Sequence, residues 1–596
     1  LGLRTVTVLQ KAERMVVESG CDDFSLDSIP LDDPETLALI RSGETTGVFQ
    51  LEGSGMREAL RKIGVNRFED VTAAVAIFRP GSMHMIDTYA QNKQGMEAGN
   101  GFRISYLHPE LEDVLSETYG VMIYQEQVMA IAHRLSGMTM SEADVFRKAI
   151  SKKNAAIMAR QRDRFVEGAT GRGIQKKTAV DIFDQIEKFA EYGFNKSHAV
   201  SYALLAFRTA YMKAHHPARF MAALLSSWIG TIDQISIVAE DCRRMGVTLL
   251  PPSVCEGGVS FGVNPEGSIV YALSAVRNVG EGPAAEIMRA REEGGAFRDL
   301  FDFASRVDSS TVNRRVYESL AGAGAFDCLE PSRARVMAGI ETVMEYGARA
   351  RQMREAGQMS LFGGSASPEA LPEPSLPDEP EMTIPTRLNL EKSSLGFYFS
   401  GHPMDEYSED IAAFTDFEPG EAMPARGRAR TAGVVTSVKE IPSRSGPIAF
   451  VTLEGRTGSC EVIVFSDILQ KIRQLLEPGS FILVEGEITD RREENRLSVS
   501  GAVLIEKARR QLKAGLVLRF SASGCDAPLR EKVAGRINEC PGNGPVKLEI
   551  VFSTGRVMTA ESRSVRVEPT DRLLADLRSL LGVDAVRLAP GVRSLN

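Results

Sequence analysis

Two textures divide the chain. Over residues 1–230, apolar residues recur at spacings of three and four, most clearly at 126–135, 155–167, 177–189 and 201–212. That is the period of an amphipathic helix. Gly, Pro and Asn punctuate the runs, as at Arg79-Pro80-Gly81 and Gly171-Arg172-Gly173, and few stretches alternate. The pattern predicts a large helical domain. From 245 to 272 it predicts short strands, one at Val247-Thr248-Leu249-Leu250 before Pro251-Pro252 and one at 268–273. Val279-Gly280-Glu281-Gly282-Pro283 then opens a helix to about Arg291. A further helix over 312–320 leads into Ala321-Gly322-Ala323-Gly324-Ala325.

Residues 363–385 hold six Pro among Gly, Ser and Glu, and 363–386 hold five acidic residues and no basic one. Such a tract cannot bury a core and reads as a solvated linker between two halves. Beyond it, β-type runs fall at 431–438, 448–454, 460–465, 481–488 and 497–505, with a helical stretch at 468–476 between the third and fourth. Five strands with a helix after the third is the order of an OB-fold barrel. The tail, about 514–596, mixes strands at 516–520, 546–552 and 564–567 with a helix at 571–581 and predicts a small α+β domain. No repeat of solenoid period is visible. The fold class expected is multidomain α+β.

Composition narrows this picture. With 596 residues, 43% hydrophobic and 25% charged, the chain suits several globular domains and excludes wholesale disorder or a fibre. The absence of any run of about 18 uncharged apolar residues predicts no transmembrane helix. Seven Cys without a CxxC pair fit neither a zinc ribbon nor a disulfide framework, so a reducing cytoplasm is expected. The chain opens Leu1-Gly2-Leu3-Arg4-Thr5, with no Met and no signal peptide, and reads as a piece of something longer.

Net charge is −9, yet it is segregated. Ten basic residues lie between 147 and 177, among them Arg147, Lys148, Lys152 and Lys153, against Asp163 and Glu167 alone. This segment is either an electrostatic track for phosphates or a solvated helix face. The Gly280/Gly282 hairpin can present free N–H groups to a phosphate, with Pro283 tolerated in the first turn, or it is an ordinary turn. Gly322 and Gly324 form a weaker second copy. In Tyr192-Gly193-Phe194-Asn195-Lys196-Ser197-His198-Ala199-Val200-Ser201-Tyr202, a cation, an imidazole and a ring four residues later converge at a helix start. That set suits a nucleotide, phosphate at one end and base at the other, although a core Tyr and a satisfied His are the commoner outcome. Gln358-Met359-Ser360-Leu361-Phe362 places an apolar anchor in a flexible tract, the form of a partner-docking motif or a stray helix end. Asp22, Asp23, Asp32, Asp33 and Glu286 offer carboxylates, but Asp32-Asp33-Pro34 reads as a turn and helix cap. There is no Walker loop, no GxSxG and no His/Cys metal spacing.

These constellations resemble, in their order, the C-family replicative polymerases, the alpha subunits of bacterial DNA polymerase III. The blocks that carry the resemblance are Leu1-Gly2-Leu3-Arg4-Thr5, Gly47-Val48-Phe49-Gln50-Leu51-Glu52, Phe78-Arg79-Pro80-Gly81, Tyr124-Gln125-Glu126-Gln127-Val128-Met129, Gly193-Phe194-Asn195-Lys196-Ser197-His198 and Asn313-Arg314-Arg315. The resemblance implies fingers at 1–245 with a palm remnant at 1–5. It implies a tandem helix-hairpin-helix, clamp-binding region at 246–350, then a clamp motif, linker and connecting segment at 351–426. An OB domain at 427–508 and a C-terminal α+β domain at 509–596 complete the layout.

By resemblance, Lys196, His198, Tyr202, Arg147, Lys148 and Arg79 face the nucleotide, with Tyr202 against the incoming base. Lys152, Lys153, Gly280, Gly282, Gly322 and Gly324 face DNA, and Gln358, Ser360, Leu361 and Phe362 bind the sliding clamp. The implied activity is DNA-directed DNA polymerase, a nucleotidyltransferase that uses dNTPs, primer-template DNA and Mg²⁺. The metal-holding aspartates are expected upstream of Leu1, so this stretch alone is expected to be inactive. The clamp-loader tau subunit and other holoenzyme subunits are further implied partners, and no membrane is. A DNA- and clamp-binding module without chemistry and the error-prone branch of the family are the alternatives.

Overall fold

Each run with a three-and-four spacing forms a helix. In the computed structural model, which describes residues 3–151, 155–189, 192–355, 372–591 and 595 apart from 425, 445, 457, 492–493, 523 and 525, the chain divides into two units, Leu1–Phe397 and Tyr398–Asn596. Lys152, Lys153 and the expected clamp motif at Gln358, Ser360, Leu361 and Phe362 lie outside the described residues.

The first unit opens with two helical cores. One gathers Ile40, Leu51, Leu60, Val71, Ile77 and Phe207. The helices that enclose it include α1 (Pro34–Ser42), α2 (Phe68–Ile77) and, returning from far along the chain, the 20-residue Lys196–His215. The second core gathers Ile131, Leu135, Phe146, Phe165, Phe183 and Ile186. It lies among α3 (Gln125–Ser136), α4 (Met140–Ser151), α5 (Ala155–Gly171) and α6 (Lys176–Phe189). Lys196–His215, here α7, buries Ala199, Ala203, Ala206 and Ala210. This stripe of small side chains at three and four spacing lets α2 and α1 approach closely.

The rest of this unit is the hairpin region. The strand expected at 247–250 shrinks to one bridge, Leu249 to Ile269, because Pro251-Pro252 cannot extend a ladder. A two-residue ribbon, Gly262–Val263 with Ile269–Val270, precedes α8 (Glu281–Gly294) and α9 (Arg314–Gly322). Then come α10 (Arg333–Glu355) and, after the linker, α11 (Ile384–Leu395), which packs on α9.

The second unit holds the barrel. β1 (Gly427–Ile441), β2 (Ile448–Glu454), β3 (Ser459–Val464), β4 (Phe481–Arg491) and β5 (Glu494–Leu504) close in the order β1-β2-β3-β5-β4. The helix Ser466–Ile472 sits after the third strand, where the pattern put it. Ala449, Val451, Leu453, Val462 and Val464 alternate inward to fill the barrel. The tail forms a four-stranded sheet, β8-β7-β6-β9, from β6 (Gly515–Ser521), β7 (Pro541–Val551), β8 (Val557–Val567) and β9 (Val586–Ala589). Helices Ala527–Asn538 and Asp571–Leu581 pack on its core. Among the described residues, no helix is long and apolar enough to cross a membrane.

Candidate nucleotide and nucleic-acid site

Two helices start side by side. Tyr124 and Phe194 form a parallel bridge, in which the Phe194 N–H donates to Ile123 O (3.2 Å) and the Gln125 N–H to Phe194 O (2.8 Å). The starts of α3 and α7, 71 positions apart in sequence, are thereby fixed together. Asn195 caps α7, its Oδ1 accepting the His198 N–H at 2.9 Å.

An aromatic ladder runs from Phe194, just before the cap, into the first two turns of α7. Phe194 meets His198 at 5.4 Å between ring centroids, and His198 meets Tyr202 at 4.3 Å. Spacings of four place all three on one face. Phe49 completes the row 5.4 Å from Tyr202. It arrives on a tight turn in which Gly47 and Gln50 have φ of 72° and 62°. That turn is pinned to the far end of the same helix. The Phe49 N–H donates to Thr209 Oγ1 at 3.1 Å, and the buried Lys213 ammonium donates to Glu44 O and Thr46 O, each at 2.9 Å. Burial pulls the Lys213 ammonium down while Asp241, 2.7 Å away, holds its charge. His198 is exposed and Tyr202 half-buried, so the ladder has an open side.

Cations ring this row unequally. The Arg79 guanidinium lies 4.1 Å over the Phe194 ring and donates to Tyr192 O at 3.0 Å. Among the described residues it pairs with no carboxylate, and burial pulls it below its ordinary value. An anion placed there would relieve that cost. Lys196 differs. Its ammonium pairs with Glu117 at 2.6 Å and lies 5.5 Å from the centre of the Tyr124 ring. Its backbone N–H donates to Glu126 Oε2 at 2.9 Å, and Asn195 Nδ2 donates to Glu126 Oε1 at 2.9 Å. A carboxylate of the protein itself, Glu126, thus stands at this helix start, where it complements the dipole and satisfies an orphan N–H.

The basic segment is neutralised in part. Arg147 bonds Asp144 and, at 2.7 Å, Gln125 Oε1; Lys148 pairs with Asp144 at 2.6 Å. Arg162 pairs with Asp184 at 2.6 Å, and Arg164 bonds Glu142. The surplus counted along the sequence is smaller in space, because the compensating acids come from α4 and α6. Through Gln125, whose Nε2 donates to Gly193 O at 3.0 Å, Arg147 still reaches the ladder's base.

The two glycine hairpins part ways. Gly280, Glu281 and Gly282 are exposed, and α8 starts at a glycine cap with φ of 67° and no side chain over it. Gly322 and Gly324 are buried. A Cβ on Gly322 would meet Ser394 Oγ at 2.6 Å, and one on Gly324 would meet Arg333 Nη2 at 2.2 Å. The Gly324 and Ala325 N–H groups donate to Ala321 O (3.0 Å) and Leu320 O (2.8 Å). The DNA contact expected at Gly322 and Gly324 thus falls on a turn that is buried, with Ser394 of α11 beside one glycine and Arg333 beside the other.

The carboxylates singled out at 22, 23, 32 and 33 lie in turns and at a helix cap. Asp22, Asp23 and Asp32 are exposed in turns, while Asp33 caps α1 by accepting the Thr36 N–H at 2.8 Å and contacts His215 Nε2 at 2.8 Å. Burial would raise the Asp33 carboxyl, but the bonds from Thr36 and His215 outweigh it and hold it low. Among the described residues, no three His, Cys, Asp or Glu are gathered to hold a metal ion.

Four of the quoted blocks, 47–52, 78–81, 124–129 and 193–198, meet around the ladder. A Cβ on Gly81 would lie 2.2 Å from Tyr192 Cε1, so only bare backbone lets that ring pack. Phe49, Glu117, Gln125 and Glu126 escaped the reading of single residues. Three of them stood inside quoted blocks, and that recurrence was the available signal.

Comparison with known proteins follows the same segments. The bacterial DNA polymerase III alpha subunit finger domain matches residues 5–173, a helix-hairpin-helix motif 246–336, and an OB-fold nucleic acid binding domain 429–505. The DNA polymerase III subunit alpha of Vibrio cholerae is 36% identical over 99% of this chain and 52% of its own length. Those of Pseudomonas aeruginosa and Escherichia coli K12 are 36% and 37% identical, each again over 99% of this chain and 52% of the relative. The chain thus spans about half the length of the curated relatives it matches.

Proposed function

Over the stretch that it spans, the chain belongs to the family of bacterial DNA polymerase III alpha subunits, and from that premise we propose that it serves within a DNA-directed DNA polymerase that extends a primer with dNTPs. The observation that carries this reading is the convergence of four sequence blocks on the ladder Phe194, His198, Tyr202 and Phe49, with Arg79 beside it. A nucleobase stacks on the Tyr202 end. The triphosphate reaches toward Arg79 and Lys196, and displaces Glu117 from the latter. Stacking of a base on an aromatic ring is worth about 1–3 kcal/mol, enough to set the dNTP's orientation before reaction.

Mg²⁺ would supply charge stabilisation to the attacking and leaving oxygens. We place the aspartates that would hold it in the half of the relatives that this chain does not cover; among the described residues no three His, Cys, Asp or Glu are gathered for it. The residues here bind, orient and neutralise. The exposed Gly280–Gly282 hairpin and the barrel contact primer-template DNA, which the OB-fold nucleic acid binding match supports. Gln358, Ser360, Leu361 and Phe362 bind the sliding clamp, and the C-terminal domain reaches the tau subunit.

In a polymerase carrying this stretch, Tyr202→Ala raises the KM for dNTP roughly fivefold or more, as loss of a base stack predicts, while primer-template affinity holds. Equal loss of both would reject the nucleotide reading. Ala in place of Leu361 and Phe362 abolishes clamp binding in a pull-down and leaves bare DNA affinity intact.

A further inference from the structure

Two thiols face each other where the hairpin region closes on itself. Cys328 Sγ lies 2.9 Å from Cys255 Sγ, across 73 residues of sequence. Both loops are held by other bonds. The Val254 N–H donates to Ala325 O at 2.9 Å, and Arg291 Nη1 donates to Val254 O and Gly257 O, each at 3.0 Å. The flanking Val254 and Phe326 are buried. Cys328 is exposed, and the Ser253 hydroxyl donates to its sulfur at 3.3 Å. Cys255 is half-buried, and burial together with Cys328 pushes its thiol up to about 12. One sulfur is thus open to solvent with a donor beside it, and its neighbour is sheltered and protonated.

We propose that Cys255 and Cys328 form a reversible intramolecular disulfide when the chain meets a hydroperoxide oxidant. The Cys328 thiolate attacks one oxygen of hydrogen peroxide. The O–O bond breaks, the other oxygen leaves as water after taking a proton, and Cys328 becomes a sulfenic acid. The Cys255 sulfur then attacks the Cys328 sulfur, loses its proton, and the S–O bond breaks to release a second water. The balance is two thiols and one hydrogen peroxide giving one disulfide and two waters. The assignment of roles follows exposure: the accessible thiol is oxidised first and the sheltered one resolves it. In a reducing compartment such a bond is a transient modification rather than a structural bridge. It closes a loop containing α8, α9 and the exposed Gly280–Gly282 hairpin, and so restricts their unfolding. Nothing in it depends on the nucleotide reading.

The test uses the 596-residue chain, fully reduced and freed of reductant, then exposed to hydrogen peroxide near neutral pH and alkylated. Peptide mass spectrometry is expected to find the Cys255 and Cys328 peptides joined, two hydrogens lighter, and released by dithiothreitol. The oxidised chain melts several degrees above the reduced one. In C255S no cross-link forms, and Cys328 is trapped by dimedone as sulfenic acid. In C328S, Cys255 stays fully alkylated. Complete alkylation of both residues in the wild-type chain after peroxide would overturn the proposal, as would a bond from Cys328 to any other cysteine. Both readouts of the wild-type chain stand even if a variant fails to fold.

Discussion

The two glycine hairpins of the first unit share a sequence pattern and have opposite fates. At Gly280-Glu281-Gly282 the turn is exposed, and the space beside each glycine is open. At Gly322-Ala323-Gly324 the same spacing is buried. The glycines there admit α11 and the Arg333 guanidinium, which bonds Asp327 at 2.8 Å and the buried Glu391 at 2.9 Å. One pair of glycines leaves backbone free for a ligand, and the other makes room for the protein itself. The difference lies in what covers the turn: for the second hairpin, Arg333 from 9 residues beyond Gly324, and Leu390 and Ser394 from 68 and 72 residues beyond Gly322.

The comparison breaks first at Gly324. Gly324→Ala puts a methyl group into the Arg333 fork at a φ of +81°. A loss of about 3 kcal/mol or more in urea unfolding is expected, combining backbone strain with overpacking. Gly280→Ala meets open space but keeps a φ of 67° and ψ of −174°, a region that suits glycine. Strain of about 1–3 kcal/mol is expected by the same measurement, with no packing loss. If the two variants lose equal stability, the burial contrast is not what separates them.

Gly282→Ala sharpens the functional half. It lies in the first turn of α8 with its nearest foreign atom at 4.0 Å, so stability should move by less than about 0.5 kcal/mol. Fluorescence anisotropy on duplex DNA should nonetheless show weaker binding, since the added methyl stands where a phosphate would approach the backbone, with the salt slope unchanged because no cation is lost. Unchanged affinity would assign the exposed hairpin to turn-making alone.

The smallest expected effect is one of pH. Glu286 of α8 bonds Arg289 and accepts the Asp308 N–H at 2.7 Å, and these contacts, against the opposing pull of burial, hold its carboxyl below 4.5. Its contribution is present above 4.5 and is lost as the pH falls through the lowered folded value. Hydrogen exchange should therefore loosen around 281–294 as acid is added, and Glu286→Gln should flatten that dependence.

Much of this was legible in the sequence. Helical spacing marked α3, α5, α6 and α7, and alternation marked the barrel strands in order, because a local period states which face a segment buries. The Asp32-Asp33-Pro34 cap was legible for the same reason: a cap is made with the N–H groups next to it. The charge of 147–177 was countable along the window but its partial neutralisation was not, since Asp144, Glu142, Asp184 and Glu187 stand outside that window and reach it through folding. That Glu126, 70 residues upstream, accepts the Lys196 N–H at the start of α7 was likewise not legible.

What the sequence alone determined is therefore the set of elements and the kinds of side chain they carry: a helix start with Asn195, Lys196, His198 and Tyr202, glycines able to turn, and alternating strands. Tertiary structure alone decided which charges are already answered, which hairpin is covered and which ring Tyr202 meets. Periodicity and capping act over a few bonds and are written locally. Charge compensation and burial depend on distance in space, and only the folded chain brings Phe49 to Tyr202 or Arg333 to Gly324.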